Sequence, residues 1–123
     1  MARPGAPPGW PSDLPAPTAP EFGARVSGWL LDRCPPEIRG TATIRHHPPA
    51  LAHVSLRHCE AVAAGQREAY RSARRQLADA IPPEALAGVL ADLEAVGHQT
   101  VGTLREVRLV AEALDGAVWR PRL

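Results

Sequence analysis

At 123 residues, 45% hydrophobic and 22% charged, the chain has the make-up of one small soluble folding unit. Its 14 basic residues are all arginine, so Schiff-base catalysis and phosphate-loop chemistry, which both use a lysine amine, are excluded. A formal net charge of +1 with interspersed signs gives no field to gather nucleic acid or an anionic membrane.

Every apolar window meets Arg57, Glu60, Arg67 or Arg105 before it reaches the ~20 residues that a membrane-spanning helix needs. The two cysteines, Cys34 and Cys59, are too few for a disulfide scaffold, and no leader-like basic and apolar run opens the chain. A reducing cytoplasm is the expected compartment.

Residues 1–20 are so dense in Pro and Gly that a disordered or extended, solvated arm is predicted. Trp10 and Leu14 are its large apolar groups, and they either dock on the body or await a partner. A first helix over about 20–34 follows, because Thr18-Ala-Pro-Glu21 offers a capping hydroxyl three residues before a glutamate, with proline in the first turn. Phe22, Val26, Trp29 and Leu30 form its apolar stripe until Pro35-Pro36 stops it. Residues 35–47 are predicted as a loop, with one short extended piece around Thr41–Ile44.

His47-Pro48-Pro49 opens a second helix over 49–81, and Ile81-Pro82-Pro83 separates it from a third over 83–115. At ~1.5 Å per residue each rod is roughly 50 Å long. In the third, Leu86, Leu90, Leu93, Gly97, Thr100, Leu104, Val107, Ala111 and Leu114 alternate steps of four and three, a heptad-type seam flanked by Val89, Val96, Val101 and Val110. The second answers with Leu51, Val54, Val62, Ala69, Ala73, Leu77 and Ile81. A reversal at Pro82-Pro83 sets Glu60 opposite Arg105 and Arg71 opposite Glu94. Gly116 ends the third helix through a left-handed cap, leaving 117–123 as a tail. The predicted fold is all-α: a long antiparallel, coiled-coil-like helical hairpin with a short N-terminal helix packed at its open end, together a helical domain over 21–116.

The segments Trp29-Leu-Leu-Asp-Arg-Cys-Pro-Pro-Glu-Ile-Arg-Gly, Arg45-His-His-Pro-Pro-Ala-Leu-Ala-His and Ile81-Pro-Pro-Glu-Ala resemble those of small uncharacterised helical proteins of high-GC actinobacteria. The likeness spans residues 8–115, implies the compartment and helical architecture, and brings no activity. Secreted helical hairpins of type VII systems carry Trp-x-Gly at the turn and Tyr-x-x-x-acid after it. Here the turn is Ile81-Pro-Pro-Glu, and Arg74 stands four residues after Tyr70.

His46, His47, His53, His58 and Cys59 raise the question of a metal. On a helix, however, His53 and His58 diverge by about 140°, so a centre would need Cys34, His46 and His47 to fold over His58. Ser55, His58 and Cys59 lack a carboxylate to orient the imidazole. Glu106 with Glu112, and Asp92 with Glu94, are expected to be surface charges. The basic run Arg67, Arg71, Arg74 and Arg75 has only Tyr70 nearby as an aromatic platform, which makes a nucleic-acid partner unlikely.

No enzyme activity and no cofactor are expected. The predicted function is a helical interaction module that dimerises or binds a larger protein through its exposed apolar stripe, with Trp10, Val89, Val96, Arg67, Arg71 and Arg74 at the partner surface. The alternative is a metal- or ligand-dependent factor at the open end, built on Cys34, His46, His47 and His58.

Overall fold

Proline positions partition the chain in the computed structural model, which describes residues 4–116. Helix α1 (Phe22–Leu31) is followed by a 3-10 turn (Pro36–Gly40), a short α2 (Ala42–Arg45) and two long helices, α3 (Pro48–Leu77) and α4 (Pro83–Leu114). The described residues contain no strand.

Several boundaries differ from the sequence expectation. Thr18 does not cap α1; Glu21 takes that position without a side-chain bond. The Thr18 side chain lies instead against Gly5, whose φ of +76° and missing Cβ let the two segments meet. At its other end α1 tightens into i→i−3 bonds, Arg33 N–H to Leu30 O at 2.9 Å and Cys34 N–H to Leu31 O at 3.2 Å, ahead of Pro35. The extended piece expected at Thr41–Ile44 is helical from Ala42, with Thr41 alone extended at φ −105°, ψ 97°. The Thr41 hydroxyl donates to Ile38 O at 2.6 Å, which anchors the reversal between the two short elements. Helix α3 stops at Leu77, short of Ile81, because Pro82 and Pro83 lack the N–H groups that would bond back to Ala78 and Asp79. The N–H groups of Ala80 and Ile81 converge on Leu77 O at 3.0 and 3.2 Å. Gly116 takes the expected left-handed conformation, φ +89°. The tail at 117–123 lies outside the described residues.

Helices α3 and α4 pack against each other as a long pair. The α4 seam is as its spacing implies: Leu90, Leu104 and Val107 are buried, and Leu86, Leu93, Gly97, Thr100, Ala111 and Leu114 are half-buried. On α3 the buried line is Leu51, Ala52, Ser55, Cys59, Ala63 and Ala73, so Cys59 and not His58 points inward. The reason is that α3 also receives α1, and the small side chains at 52, 55 and 59 let that helix approach. The charge pairs expected across the helices are replaced. Glu60 binds Arg57 at 2.7 Å and Arg108 at 3.8 Å instead of Arg105, while Arg71 binds Glu68 at 2.8 Å instead of Glu94. Partners three residues apart on one helix already share a face, so they need less side-chain ordering.

The Pro-rich segment is part of the core. Ala6, Trp10 and Leu14 join Val26, Trp29, Leu30, Leu51, Val107 and Val110 in one cluster, with Trp10 8% and Leu14 1% exposed. Without regular structure it stays ordered through turns, Trp10 N–H to Pro7 O at 3.1 Å and Leu14 N–H to Pro11 O at 3.4 Å. Its prolines also restrict the unfolded chain, which lowers the entropy cost of docking. From the long helices this cluster takes residues only as far along as Ala63 on α3 and back to Leu104 on α4. Beyond those points neither long helix contributes a residue to this cluster.

Candidate functional site

Where the N-terminal segment and the end of α1 meet α3, polar groups converge. The Trp29 indole N–H donates to Asp13 Oδ1 at 2.9 Å, and Arg33 reaches Asp13 Oδ2 at 3.3 Å. Arg33 also donates to Trp29 O at 2.8 Å and stacks 3.7 Å above the Trp29 ring. The carbonyl of Arg33, exposed by the end of α1, accepts the Ser55 hydroxyl at 3.3 Å and the Cys59 thiol at 3.7 Å. Cys34 donates to Leu51 O at 3.8 Å. Asp13, Arg33, Cys34 and Cys59, with His58, Gln99 and Thr103, border a cleft of about 550 Å³.

The cleft does not assemble a nucleophile. Ser55 is 0% exposed and its hydroxyl is committed to a carbonyl, not to His58. Burial pushes both thiols up, and Cys34 is raised further by its neighbour Cys59, which favours the protonated form over the nucleophilic thiolate. Alkylation of Cys34 and Cys59 by iodoacetamide is therefore expected to be ~100-fold or more slower in buffer than in urea. Mass spectrometry of the time course checks this, and prompt modification of either residue in buffer contradicts it.

Asp13 lies below the ordinary carboxyl value of 3.8, held there chiefly by the Trp29 N–H, against the opposing effect of burial and with further help from the charge of Arg33. A depressed carboxyl stabilises the fold once it is ionised, and that contribution disappears as pH falls through its folded value. Glu106 has the opposite sign: burial, then the charge of Asp13, raises it, so it favours the fold when protonated. Asp13→Asn is expected to flatten the loss of stability between about pH 5 and pH 2. Urea titrations of both proteins across that range measure the difference; equal slopes contradict the assignment.

Of the proposed ligands, Cys34 and His58 border the same cleft, and His46 and His47 are not among its lining residues. Both exposed imidazoles turn back onto their own segment, His46 Nδ1 on Ala42 O at 2.6 Å and His47 Nδ1 on Thr43 O at 2.8 Å. Cys34 faces Leu51 O from inside the core, and His58 borders the cleft. Among the described residues no three His, Cys, Asp or Glu side chains are arranged to hold a metal ion. His46 caps the short helix α2, which stands where a loop is expected from sequence.

A second concavity, also about 550 Å³, runs between α3 and α4 where no other element covers them. Gln66, Arg67, Tyr70 and Arg71 form one wall, and Leu93, Glu94, His98 and Val101 the other, with Gly97 leaving the gap between them. Tyr70 is 42% and Val101 39% exposed, two of the three exposed large apolar side chains among the described residues. Of the partner residues expected from sequence, Arg67 and Arg71 line this groove, Arg74 is exposed, Val96 is 39% exposed and Val89 is half-buried. Trp10 is withdrawn into the core, where its indole N–H is shared by Leu14 O and Pro15 O. Tyr70, Leu93 and Val101 were not singled out from sequence as partner residues. The signal for them is Gly97 at a seam position, which removes a side chain where the heptad pattern calls for one.

No helix among the described residues is long and apolar enough to cross a membrane. Comparison with known protein families, curated proteins and solved structures gives no significant match.

Proposed function

We propose that this chain is a non-enzymatic interaction module, in which α3 and α4 form an antiparallel, coiled-coil-like hairpin whose uncovered half receives another polypeptide. The observation that carries this reading is the groove with Tyr70 and Val101 at its rim. Large exposed apolar side chains on a helix pair have a cost in water that a docked helix removes. The two free thiols fit action in a reducing compartment.

The division of the helix pair supports the same reading. One half is covered by the N-terminal segment and α1, which supply stability, and the other is left uncovered. A photo-crosslinking benzoylphenylalanine at Tyr70 is expected to capture a polypeptide in cells, while the same group at the exposed Arg25 of α1 does not. No capture from position 70, or equal capture from both, overturns the proposal.

A further inference from the structure

The charges around the groove are segregated by helix. Over residues 66–77, α3 carries Arg67, Arg71, Arg74 and Arg75 against Glu68 alone. Over residues 83–98, α4 carries Glu84, Asp92 and Glu94 with no arginine or lysine. Among the described residues no ion pair joins the helices in this half: Arg71 is held by Glu68 on its own helix, Glu94 lies 3.8 Å from His98 on its own helix, and Arg67, Arg74, Arg75, Glu84 and Asp92 take no ion-pair partner. At the groove itself Arg67 and Arg71 stand on the α3 wall and Glu94 on the α4 wall, while Asp92, about 200° round the helix from Glu94, lies on another face of α4.

We infer that the occupant of the groove is a second copy of this chain, related by a two-fold axis parallel to the long helices. This rests on the interaction reading above and names its partner. A two-fold contact uses the same patch twice, so each feature must find its complement on that patch. With the axis along the helices, α3 of one copy lies over α4 of the other at the same level, because Arg67, Arg71 and Glu94 line the same stretch of groove. Basic then meets acidic at both edges, and the Tyr70 ring of each copy comes over the gap left by Gly97 of the other. With the axis running across the helices, α3 would face α3 and α4 would face α4, so each contact would set like charges together. An axis perpendicular to the helix pair would leave the groove open. Charge therefore selects one arrangement, a four-helix bundle with antiparallel neighbours.

The test uses two charge-swapped full-length chains, R67E/R71E and E94R, with circular dichroism confirming that each stays helical. In sedimentation equilibrium the wild-type chain is expected to dimerise. Each variant alone should associate roughly tenfold or more weakly, and an equimolar mixture should recover the dimer as a heterodimer. Spin labels introduced by Glu112→Cys, with the native thiols buried, fix the axis. Both labels lie at one end for the parallel axis, within about 25 Å, against about 45 Å or more for the transverse one.

A monomer up to millimolar concentration, a dimer indifferent to both charge swaps, or the longer label separation overturns the inference. If the chain is monomeric yet Tyr70 crosslinks a different protein, self-association fails while the interaction reading stands. If the chain is monomeric and position 70 captures nothing, both fail.

Discussion

Trp10→Ala is expected to lower the free energy of unfolding by about 3–5 kcal/mol, the range for losing a large buried aromatic side chain. A tryptophan in a solvated arm would give a change within ~0.5 kcal/mol, so the two descriptions of residues 1–20 are well separated. The expectation follows from three observations. The side chain is 8% exposed, its ring stands 5.9 Å from that of Phe22, and its N–H reaches Leu14 O at 3.2 Å and Pro15 O at 3.1 Å. Trp10→Phe separates packing from hydrogen bonding: it keeps most of the buried surface and loses only the N–H, at about 1–2 kcal/mol. Urea unfolding followed by far-ultraviolet circular dichroism measures both. A near-zero change for the alanine variant would return the segment to solvent.

This segment shows where sequence reasoning stops. Prolines at 4, 7, 8, 11, 15, 17 and 20 exclude helix and strand locally, and that inference holds. What they do not exclude is docking, which depends on whether the body offers a surface for Trp10 and Leu14. That surface is made by residues up to about a hundred positions away, Val107 and Val110 among them, and no local pattern encodes it. The long helices were legible for the opposite reason. Their seam repeats within one element, and Pro48 and Pro83 mark both starts.

The candidate site was legible in part for the same physical cause. Arg67 and Arg71 stand at helical spacing and were found, because one helix places them. The groove between Tyr70, Gly97 and Val101 requires two helices in a particular register; a reversal at Pro82-Pro83 sets Arg71 level with Glu94 and both do line the groove, yet neither expected charge pair forms, since Arg71 takes Glu68 and Glu60 takes Arg57 and Arg108. Exposed ion pairs contribute only ~0.2–1 kcal/mol, too little to set how the helices align. Packing of Leu90, Leu104 and Val107 decides that alignment, and charges take whichever partner is then nearest.

Leu30→Ala should cost about 2–5 kcal/mol, and Leu77→Ala well under half as much, although both remove the same atoms. Leu30 is 0% exposed and belongs to the cluster built from the N-terminal segment, α1 and both long helices, a close-packed setting that collapses little around a lost side chain. Leu77 is half-buried in the last turn of α3, where only α4 lies alongside and water reaches the site. The contrast implies a stability gradient along the helix pair. Amides over 66–77 and 83–98 should exchange by local opening, while those near Ser55, Cys59, Leu104 and Val107 wait for global unfolding. Native-state hydrogen exchange reads both classes at once. Under the proposed dimer the faster class should slow as protein concentration rises, because the groove it borders becomes the interface. Uniform protection along α3 and α4 at low concentration would mean that the uncovered half needs no partner for its stability.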